Sequence, residues 1–321
     1  MGSTSAIIPT GYTLTEIGIF PKEWEIKIFE EIADKNVRNS ITGGPFGSDL
    51  KTSDYTNDGV QIIQLQNIGD GVFIDDSVVY TSEEKADRLI NCNIFSNEII
   101  LSKMGDPVAR ACFMPTKASR YLMASDGIRL VVDEKEYDKM FVFYFINSKY
   151  FRSRAIQVST GSTRQRIGLT DLRKLHFVKP PLNEQNNVGA ALRCQDNHIK
   201  KLEHLIEKKC EIKQGTIQEL LTGKTRLPGF NTKWTNTTLG EVGTCYRGVS
   251  YNPDYDLFDY DGEQTIRLFR SNNIQNGLIN LNNIQYVHSN RVSKSQRLQE
   301  NDVVICIANG SKRLVGKSAP F

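Results

Sequence analysis

The chain repeats itself over a long period, and this repetition limits its possible folds more than any other feature. Three segments of the first half recur in the same order and at nearly constant separation in the second half: residues 24–33 recur at 234–243, residues 63–71 at 268–277, and residues 97–101 at 301–305. Trp24 and Trp234 begin the first matching pair, and Gly71 and Gly277 end the second. Self-similarity at a fixed period indicates duplicated structural units. The sequence therefore predicts two copies of one domain, of which the second stops early at Phe321.

Within each copy, short runs of alternating apolar residues are interrupted by Gly, Asn and Asp. This pattern is typical of strands joined by turns, and residues 60–65 and 78–80 are two such runs. A helical period returns over residues 139–154, where Phe141, Tyr144 and Phe145 fall on one side. The predicted fold class of each copy is therefore mixed α/β (α+β).

Between the copies lies a segment with the pattern of one long helix. Prolines precede it and Gly223 follows it, and no proline interrupts the stretch from Asn183 to Leu221. At 1.5 Å per residue this helix would reach about 60 Å. The helix carries an apolar stripe formed by Val188, Leu192, Ile199, Leu202, Ile206, Ile217 and Leu220. We expect this stripe to need a partner helix, most simply an antiparallel one, which this chain lacks. The sequence thus divides into residues 1–180, a helical spacer at 181–230, and residues 231–321.

The composition excludes several classes of protein. No stretch approaches the roughly 18 uninterrupted apolar residues of a membrane helix, and residues 1–9 lack the layout of a signal peptide. A cytoplasmic protein without a membrane partner is therefore expected. The six cysteines are far apart, without a C-x-x-C pair or a histidine at ligand spacing, so we expect neither a metal site nor a disulfide framework.

The basic residues are concentrated in one window. The whole chain carries a net charge of only +3, which by itself does not indicate a nucleic-acid partner. Residues 149–179, however, contain eight basic residues and one acidic residue, so the window carries +7 and the rest of the chain −4. Within it, residues 159–166 combine hydroxyls, Gly161 and two arginines, a set suited to contacting phosphates and base edges. A solvated basic loop is an equally good interpretation of this window.

Three motifs together resemble a known family. The run from Pro180 to Gln185, the long amphipathic helix and the run from Leu220 to Phe230 resemble the central conserved region of specificity (S) subunits of type I restriction-modification systems. The run from Gly44 to Ser48 is similar to the opening loop of their target-recognition domains. With the flanking repeat, the resemblance covers essentially the whole chain. It departs from the family pattern in one respect, because this chain ends inside its second recognition domain, as a fragment or a natural truncation.

The resemblance implies two target-recognition domains held apart by a helix that forms part of an antiparallel coiled coil. Each domain would read one half of a split site in double-stranded DNA. The helix would dock methyltransferase (M) subunits, two in number, and through them restriction (R) subunits. No catalysis and no cofactor would belong to this chain, since S-adenosylmethionine, ATP and Mg would be bound by the partner subunits. Truncation would also allow two such chains to self-associate through their helices.

The residues that this interpretation predicts as DNA contacts lie in loops or beside strand ends. The first copy contributes Ser48, Lys51, Gln64, Gln66, Asn67, Arg110, Ser162, Thr163, Arg164, Gln165 and Arg166, and the second contributes Arg270, Asn272, Asn309, Ser311 and Arg313. Isolated polar residues at strand ends are more often turn formers, so that interpretation is favoured for any one residue outside the basic window.

Two motifs that suggest an enzyme are incomplete. Gly223-Lys224-Thr225 resembles the end of a P-loop, but Gln218 stands where the required first glycine should be. The run from Asn252 to Tyr255 resembles the catalytic loop of adenine methyltransferases, but Asp254 replaces the second proline and no glycine-rich cofactor loop precedes it. A non-catalytic subunit is therefore expected. The alternatives are a fused methyltransferase-recognition chain and a structural adaptor that does not touch DNA.

Overall fold

The computed structural model describes residues 8–15, 17–161 and 164–321, and the chain divides into two compact units, with the boundary between Thr216 and Ile217. The mixed α/β class predicted from the sequence is confirmed, as is the long central helix. The helices are α1 (Glu83–Arg88), α2 (Lys139–Ile146), α3 (Lys149–Gln157), α4 (Leu169–Arg173), α5 (Leu182–Leu221) and α6 (Leu239–Val242).

Twenty short strands are described, thirteen of them in the first unit. The first unit contains β1 (Tyr12–Thr15), β2 (Gly18–Pro21), β3 (Glu25–Ile28), β4 (Ile41–Gly43), β5 (Tyr55–Thr56), β6 (Val60–Ile63), β7 (Val79–Thr81), β8 (Asn93–Phe95), β9 (Ile99–Ser102), β10 (Ala111–Phe113), β11 (Arg120–Met123), β12 (Gly127–Leu130) and β13 (His176–Lys179). The second contains β14 (Leu257–Phe258), β15 (Thr265–Leu268), β16 (Ile274–Gln275), β17 (Leu278–Ile279), β18 (Gln285–His288), β19 (Val303–Ile305) and β20 (Ser318–Pro320).

Two sheets organise the first unit. One has the strand order β10-β9-β12-β4 and is antiparallel throughout. The other has the order β5-β7-β6-β11-β8, and its central pair, β6 and β11, runs parallel. Strands β3 and β13 pair with each other, which brings the two ends of the first copy together.

The apolar run at β9 is continuous because both of its faces are buried. Ile99 and Leu101 belong to the largest core cluster, whereas Ile100 belongs to a second cluster on the other face. Successive strand side chains point to opposite faces, so a strand between two cores needs apolar residues at every position. The largest cluster also contains Phe29 and Phe151, whose ring centroids lie 5.4 Å apart.

The helical stretch predicted over residues 139–154 is divided into α2 and α3. Asn147 ends α2, and its side-chain amide exchanges two hydrogen bonds of 3.1 Å with the backbone N–H and carbonyl of Ala111. The hydroxyl of Ser148 then accepts a hydrogen bond from the N–H of Phe151 and so caps α3. A side chain that is bound to a distant strand has no local sequence signal, so the periodicity alone did not reveal the break.

The first turns of α5 are attached to the first unit by buried polar contacts. Gln185 is fully buried, and its side chain accepts a hydrogen bond from the N–H of Asp138 (3.1 Å) and donates one to the carbonyl of Pro180 (2.7 Å). The indole of Trp24 donates to Glu184 at 3.0 Å. At Gly189 a Cβ would lie 2.3 Å from Oδ1 of Asp138, so the helix approaches α2 as closely as glycine permits.

Farther along, α5 exposes an apolar stripe. Leu192, Ile199, Leu202 and Ile206 are all exposed, as the predicted stripe requires. Val188, which was predicted as part of this stripe, packs against the core of the first unit instead. Ile217 and Leu220 are half-buried. The stripe available to a partner therefore begins at Leu192.

The second unit repeats the first in its hydrogen bonds as well as in its sequence. In the first copy, just before β9 and after β10, the N–H of Asn97 donates to the carbonyl of Met114, and the N–H of Met114 donates to the carbonyl of Glu98. In the second copy the N–H of Asn301 bonds to the carbonyl of Phe321, and the N–H of Phe321 bonds to the carbonyl of Asp302. Both asparagines have positive φ, 62° and 74°.

Strand β19 has one neighbour among the described strands, whereas its counterpart β9 has two. β9 lies between β10 and β12, but β19 pairs with β20 alone. Val303 and Ile305 of β19 are accordingly exposed, while the matching Ile99 and Leu101 are fully buried.

Within the described residues, no helix is both long and apolar enough to cross a membrane. Over that same part of the chain, no group of three or more His, Cys, Asp or Glu side chains is placed to hold a metal ion.

The cysteines should differ sharply in their reactivity towards thiol reagents. Cys112 is fully buried, and burial raises the pKa of its thiol to about 12. Cys194 and Cys210 are exposed on α5. Because the thiolate is the reactive form, we expect an aromatic disulfide reagent at pH 8 to label Cys194 and Cys210 within minutes and Cys112 only after denaturation. Peptide mapping by mass spectrometry checks this, and rapid native labelling of Cys112 would contradict the packing around β10.

Candidate nucleic-acid interface

Five loop segments meet at one edge of the first unit. The register pairs Gly43 with Ile128 and Ser102 with Gly127, which brings the ends of β4 and β9 beside the start of β12. β6 is parallel to β11, and the N–H of Ala124 bonds to the carbonyl of Ile63 at 2.8 Å. The connections after these strands, residues 44–48, 64–66, 103–110 and 124–126, therefore lie side by side. A fifth segment, residues 159–161 with 164–167, follows α3 and pairs with residues 103–105. We call the five segments the loop edge.

The loop edge begins at a close approach of two backbone segments. The N–H of Gly44 bonds to the carbonyl of Gly127 at 2.9 Å. A Cβ on Gly44 would lie only 1.8 Å from the carbonyl oxygen of Ala124, so no side chain fits here. The resemblance to the opening loop of recognition domains rested partly on this residue, and the structure supplies a steric reason for its being glycine.

The basic loop is held to the loop edge through its backbone. Thr160 and Arg166 exchange two backbone hydrogen bonds of 2.9 and 2.8 Å, and Gly161 between them has a φ of +104°. The N–H of Gly105 bonds to the carbonyl of Gln165 at 3.2 Å. The predicted contact residues Ser162 and Thr163 lie outside the described residues. The described part of the loop is thus an ordered neighbour of residues 103–105.

Arg166 and Arg164 occupy different environments in this loop. Arg166 forms an ion pair with Asp126 of the turn between β11 and β12, although its side chain remains about half exposed. Arg164 is exposed. Asp126 was not predicted as a functional residue, since the forty residues that separate it from Arg166 give no local signal.

Several cations of the basic window are already paired within the unit. Four of its eight basic residues face carboxylates from other parts of the chain: Arg152 with Asp70, Arg166 with Asp126, Arg173 with Glu30, and Lys179 with Glu136. Lys149, Arg164 and Lys174 are exposed. The +7 counted along the sequence therefore overstates the positive field that the window presents.

Asn67 holds the turn that follows β6. It is 1% exposed, its side-chain oxygen accepts a hydrogen bond from the N–H of Gln64, and its amide nitrogen donates to the carbonyls of Ile74 and Ser77 at 2.9 Å each. All of its strong hydrogen-bonding groups face the unit itself. Asn67 is therefore a turn-forming residue, and it is not retained among the candidate DNA contacts.

Gln64 and Gln66 lie on the outer side of this turn. The amide nitrogen of Gln64 donates to the hydroxyl of Tyr55 (3.3 Å), and that of Gln66 donates to the side-chain oxygen of Gln64 (3.1 Å) and to Ser77 (2.8 Å). Gln66 is exposed and Gln64 is half-buried. Both side chains are oriented by neighbours and remain accessible.

Arg110 lies at the inner side of the loop edge. It is half-buried, its Nε is buried without a hydrogen-bond partner among the described residues, and its guanidinium lies beside Gly105. Nearby, the hydrogen bond from Arg152 and, more weakly, the charge of Arg110 lower the pKa of Asp70. Asp70 therefore stays ionised and offsets part of the positive charge of the two arginines.

The opening loop presents both polar and apolar groups. Ser48 is exposed, with its hydroxyl 3.4 Å from Asp49, and Lys51 is exposed at the start of the next turn. Phe46 is 83% exposed, a large value for an aromatic ring in a loop. The sequence analysis missed Phe46, although an aromatic residue in a glycine-rich loop is a recognisable signal for apolar contact with a base.

The candidates of the second copy also lie on connections that follow strands. Arg270 and Asn272 lie on the turn after β15, and the N–H of Arg270 is bound by the side chain of Asn273 at 3.0 Å. Asn309, Ser311 and Arg313 lie between β19 and β20, where the side-chain oxygen of Asn309 accepts from the N–H of Ser311 (3.1 Å). Ser311 and Arg313 are exposed.

Comparison with curated proteins finds related specificity subunits. The chain is 25% identical over 224 residues to the type I restriction enzyme MjaVIII specificity subunit of Methanocaldococcus jannaschii, which covers 68% of this chain and 50% of that protein. It is 37% identical over 86 residues to the StySPI specificity subunit of Salmonella potsdam, covering 27% of this chain and 18% of that protein. The chain thus spans half or less of these relatives' lengths.

A solved structure and a family model complete the comparison. The HsdS subunit from Thermoanaerobacter tengcongensis matches with a TM-score of 0.48 and 14% identity, over 94% of this chain and 73% of that one. The model of the family described as type I restriction modification DNA specificity domain matches residues 21–222, which is more than half of the chain and includes the loop edge and α5. The chain belongs to this family of type I restriction-modification DNA specificity domains.

Proposed function

We propose that this chain recognises DNA sequence for a type I restriction-modification complex and carries no catalytic centre of its own. The observation that carries the proposal is the match of residues 21–222 to the specificity-domain family. Its curated relatives are named as specificity subunits of type I restriction enzymes. The loop edge of the first unit is the proposed contact surface for one half of a split double-stranded DNA target.

The chemistry of the loop edge supports this assignment. Exposed Arg164 and half-exposed Arg166 can neutralise phosphates or donate to guanine, and Gln64 can pair with adenine. Phe46 offers an apolar surface to a thymine methyl group. Backbone hydrogen bonds between these connections, such as those of Gly44 with Gly127 and of Thr160 with Arg166, hold the loops together, and such preorganisation lowers the entropic cost of binding.

The exposed stripe of α5 supports a second role in assembly. Its apolar residues recur at spacings of three, four and seven, the pattern of a helix seam. We propose that a second helix covers this seam, either from the remainder of the specificity protein or from another copy of this chain. Two methyltransferase subunits would dock on the resulting coil and recruit restriction subunits. S-adenosylmethionine, ATP and Mg would be bound by those partners, in the cytoplasm.

The test of the proposal is co-expression of this chain with its methyltransferase subunit and mapping of adenine methylation on plasmid DNA. Methylation at one defined sequence, present only with this chain, is the expected result. Methylation by the chain alone would favour a fused methyltransferase instead. If the chain formed a stable complex with the methyltransferase subunit but methylation were the same with and without it, the structural adaptor would be favoured.

Removing the two arginines of the basic loop should change the salt dependence of DNA binding. The slope of log K against log salt concentration is negative, and we expect Arg164→Ala with Arg166→Ala to make it shallower by about 2. The reason is that each cation that neutralises a phosphate releases about one counterion. Fluorescence anisotropy of the chain in complex with its methyltransferase subunit, between low and high salt, measures this slope. Lys35→Ala with Lys135→Ala removes the same charge at exposed positions near the end of β12, opposite the end that meets the loop edge, and should leave the slope nearly unchanged. Equal slopes for the two double variants would exclude this loop from the interface.

A further inference from the structure

The two copies share one structural frame at the turns that follow β6 and β15. Asn67 and Asn273 are each 1% exposed. Each binds, through its side-chain oxygen, the N–H of the residue three positions earlier, at 2.9 Å for Gln64 and 3.0 Å for Arg270. The amide nitrogen of Asn273 donates to the carbonyls of Asn280 (3.1 Å) and Asn282 (3.4 Å), as that of Asn67 does to its own loop. The asparagine of the frame therefore binds the backbone of the turn and not the side chains at its outer positions.

The outer positions of this frame differ between the copies. The first copy carries Gln64 and Gln66, and the second carries Arg270 and Asn272 at the matching places. The two turns thus keep the same backbone frame but carry different accessible polar side chains. This combination is what we expect of an element that recognises a different ligand in each copy. Glutamine pairs with the N6 and N7 edge of adenine and arginine with the O6 and N7 edge of guanine, so these two residue types suit different bases.

The hydrogen bonds of Gln64 leave a suitable pair of groups unused. A glutamine amide has two N–H donors and an oxygen with two lone pairs. One donor of Gln64 is engaged by Tyr55, and one lone pair is engaged by Gln66. Among the described residues no further hydrogen bond engages this amide, so one donor and one lone pair remain. They are complementary to the N7 acceptor and the N6–H donor that adenine presents in the major groove.

The position of Gln64 places this amide within the loop edge. It directly follows β6, and the preceding residue, Ile63, is hydrogen-bonded to Ala124 at 2.8 Å. Asp126, two residues beyond Ala124, holds Arg166 in an ion pair. A duplex that contacts the basic loop would thus lie beside Gln64.

We infer that the turn 64–67 is a base-reading element of the first domain, in which the amide of Gln64 selects adenine at one position of the half-site. This inference rests on the proposed function, since it names a base contact of the same DNA-binding surface. The inference places sequence specificity in a turn outside the basic loop. Within that turn, Asn67 holds the backbone and Gln64 contacts the base.

Selection from a randomised duplex library by the chain in complex with its methyltransferase subunit tests this inference. We expect the wild-type complex to enrich one sequence that contains a required adenine. Gln64→Arg should replace that adenine by guanine and leave the other positions unchanged. Gln64→Ala should reduce the preference for adenine at that position alone, by about 5- to 150-fold, the range of one bidentate base contact. Neither substitution touches the frame, because Asn67 binds the backbone of residue 64.

Thr116→Arg supplies the matched control, since it adds the same charge at an exposed position between β10 and β11, at the opposite end of these strands from the loop edge. It should leave the enriched sequence unchanged. If the wild-type complex enriches no sequence, the proposed function fails and the inference fails with it. If the wild-type complex enriches a sequence but both Gln64 variants enrich the same one, or weaken binding to all sequences equally, the inference alone is overturned.

Discussion

Replacement of Arg129 by methionine is expected to lower the free energy of unfolding of the first unit by about 3–5 kcal/mol. Arg129 in β12 and Glu98 before β9 form a two-pronged ion pair, with hydrogen bonds of 2.7 Å from Nε and 2.6 Å from a terminal nitrogen. The side chains are only 7% and 15% exposed. Methionine would fill much of the arginine's volume but leave the carboxylate of Glu98 without its cation in a poorly hydrated place. Urea unfolding followed by far-UV circular dichroism measures the loss.

Two further variants identify the cause of this loss. Adding Glu98→Gln to Arg129→Met removes the uncompensated charge, so most of the stability should return. Arg88→Met breaks the exposed pair with Glu84 on α1, whose side chains are 71% and 75% exposed, and it should cost less than about 0.5 kcal/mol. A loss for Arg129→Met as small as the loss for Arg88→Met would show that the pair between β12 and Glu98 is hydrated in solution.

The second large effect is expected at Gly44. An alanine there would place its Cβ 1.8 Å from the carbonyl oxygen of Ala124 and 2.6 Å from its carbonyl carbon. Backbone cannot yield as a flexible side chain does, so β4 must separate from the turn at 124–126 and disturb the loop edge. We expect a loss of about 3 kcal/mol or more in stability, at the upper end of overpacking effects, together with weaker DNA binding.

Gly47→Ala is the matched control for this prediction. Gly47 lies in the same loop, and a Cβ there would meet no atom within 4 Å. Thermal unfolding should therefore remain close to wild type. If the two alanine variants behaved alike, the close approach at Gly44 would not determine the geometry of the loop edge.

The features that the sequence predicted correctly are those that repeat or follow a period. The duplication was visible in matched segments, and the structure shows the same hydrogen bonds at Asn97 and Asn301. The long helix was predicted from Asn183 to Leu221 and is observed from Leu182 to Leu221. Flanking prolines and a following glycine mark such boundaries, because they act on the backbone locally.

The features that were missed depend on contacts between distant parts of the chain. Val188 has the spacing of the apolar stripe, but the attachment of the first turns of α5 turns it towards the core. The pairing of Arg166 with Asp126 joins residues on different connections, so a charge count along the chain could not detect it. Nor could the sequence distinguish Asn67 from Gln64 and Gln66, since burial separates them and composition does not. The role of each residue in the candidate interface therefore depends on burial and on long-range contacts, which the sequence does not reveal.

The buried contacts at the start of α5 have a consequence for recombinant exchange of the first domain. Gln185 reaches Asp138 and Pro180, Glu184 reaches Trp24, and Asp196 accepts a hydrogen bond from Tyr144 at 2.7 Å. In a hybrid gene joined at Pro180, the residues of α5 that make these contacts would come from one parent and their partners in the first domain from the other. A junction placed after Asp196 would keep each matched set within one parent. The preferred junction for such chimaeras therefore lies inside the long helix, several turns beyond the prolines that mark its beginning in the sequence.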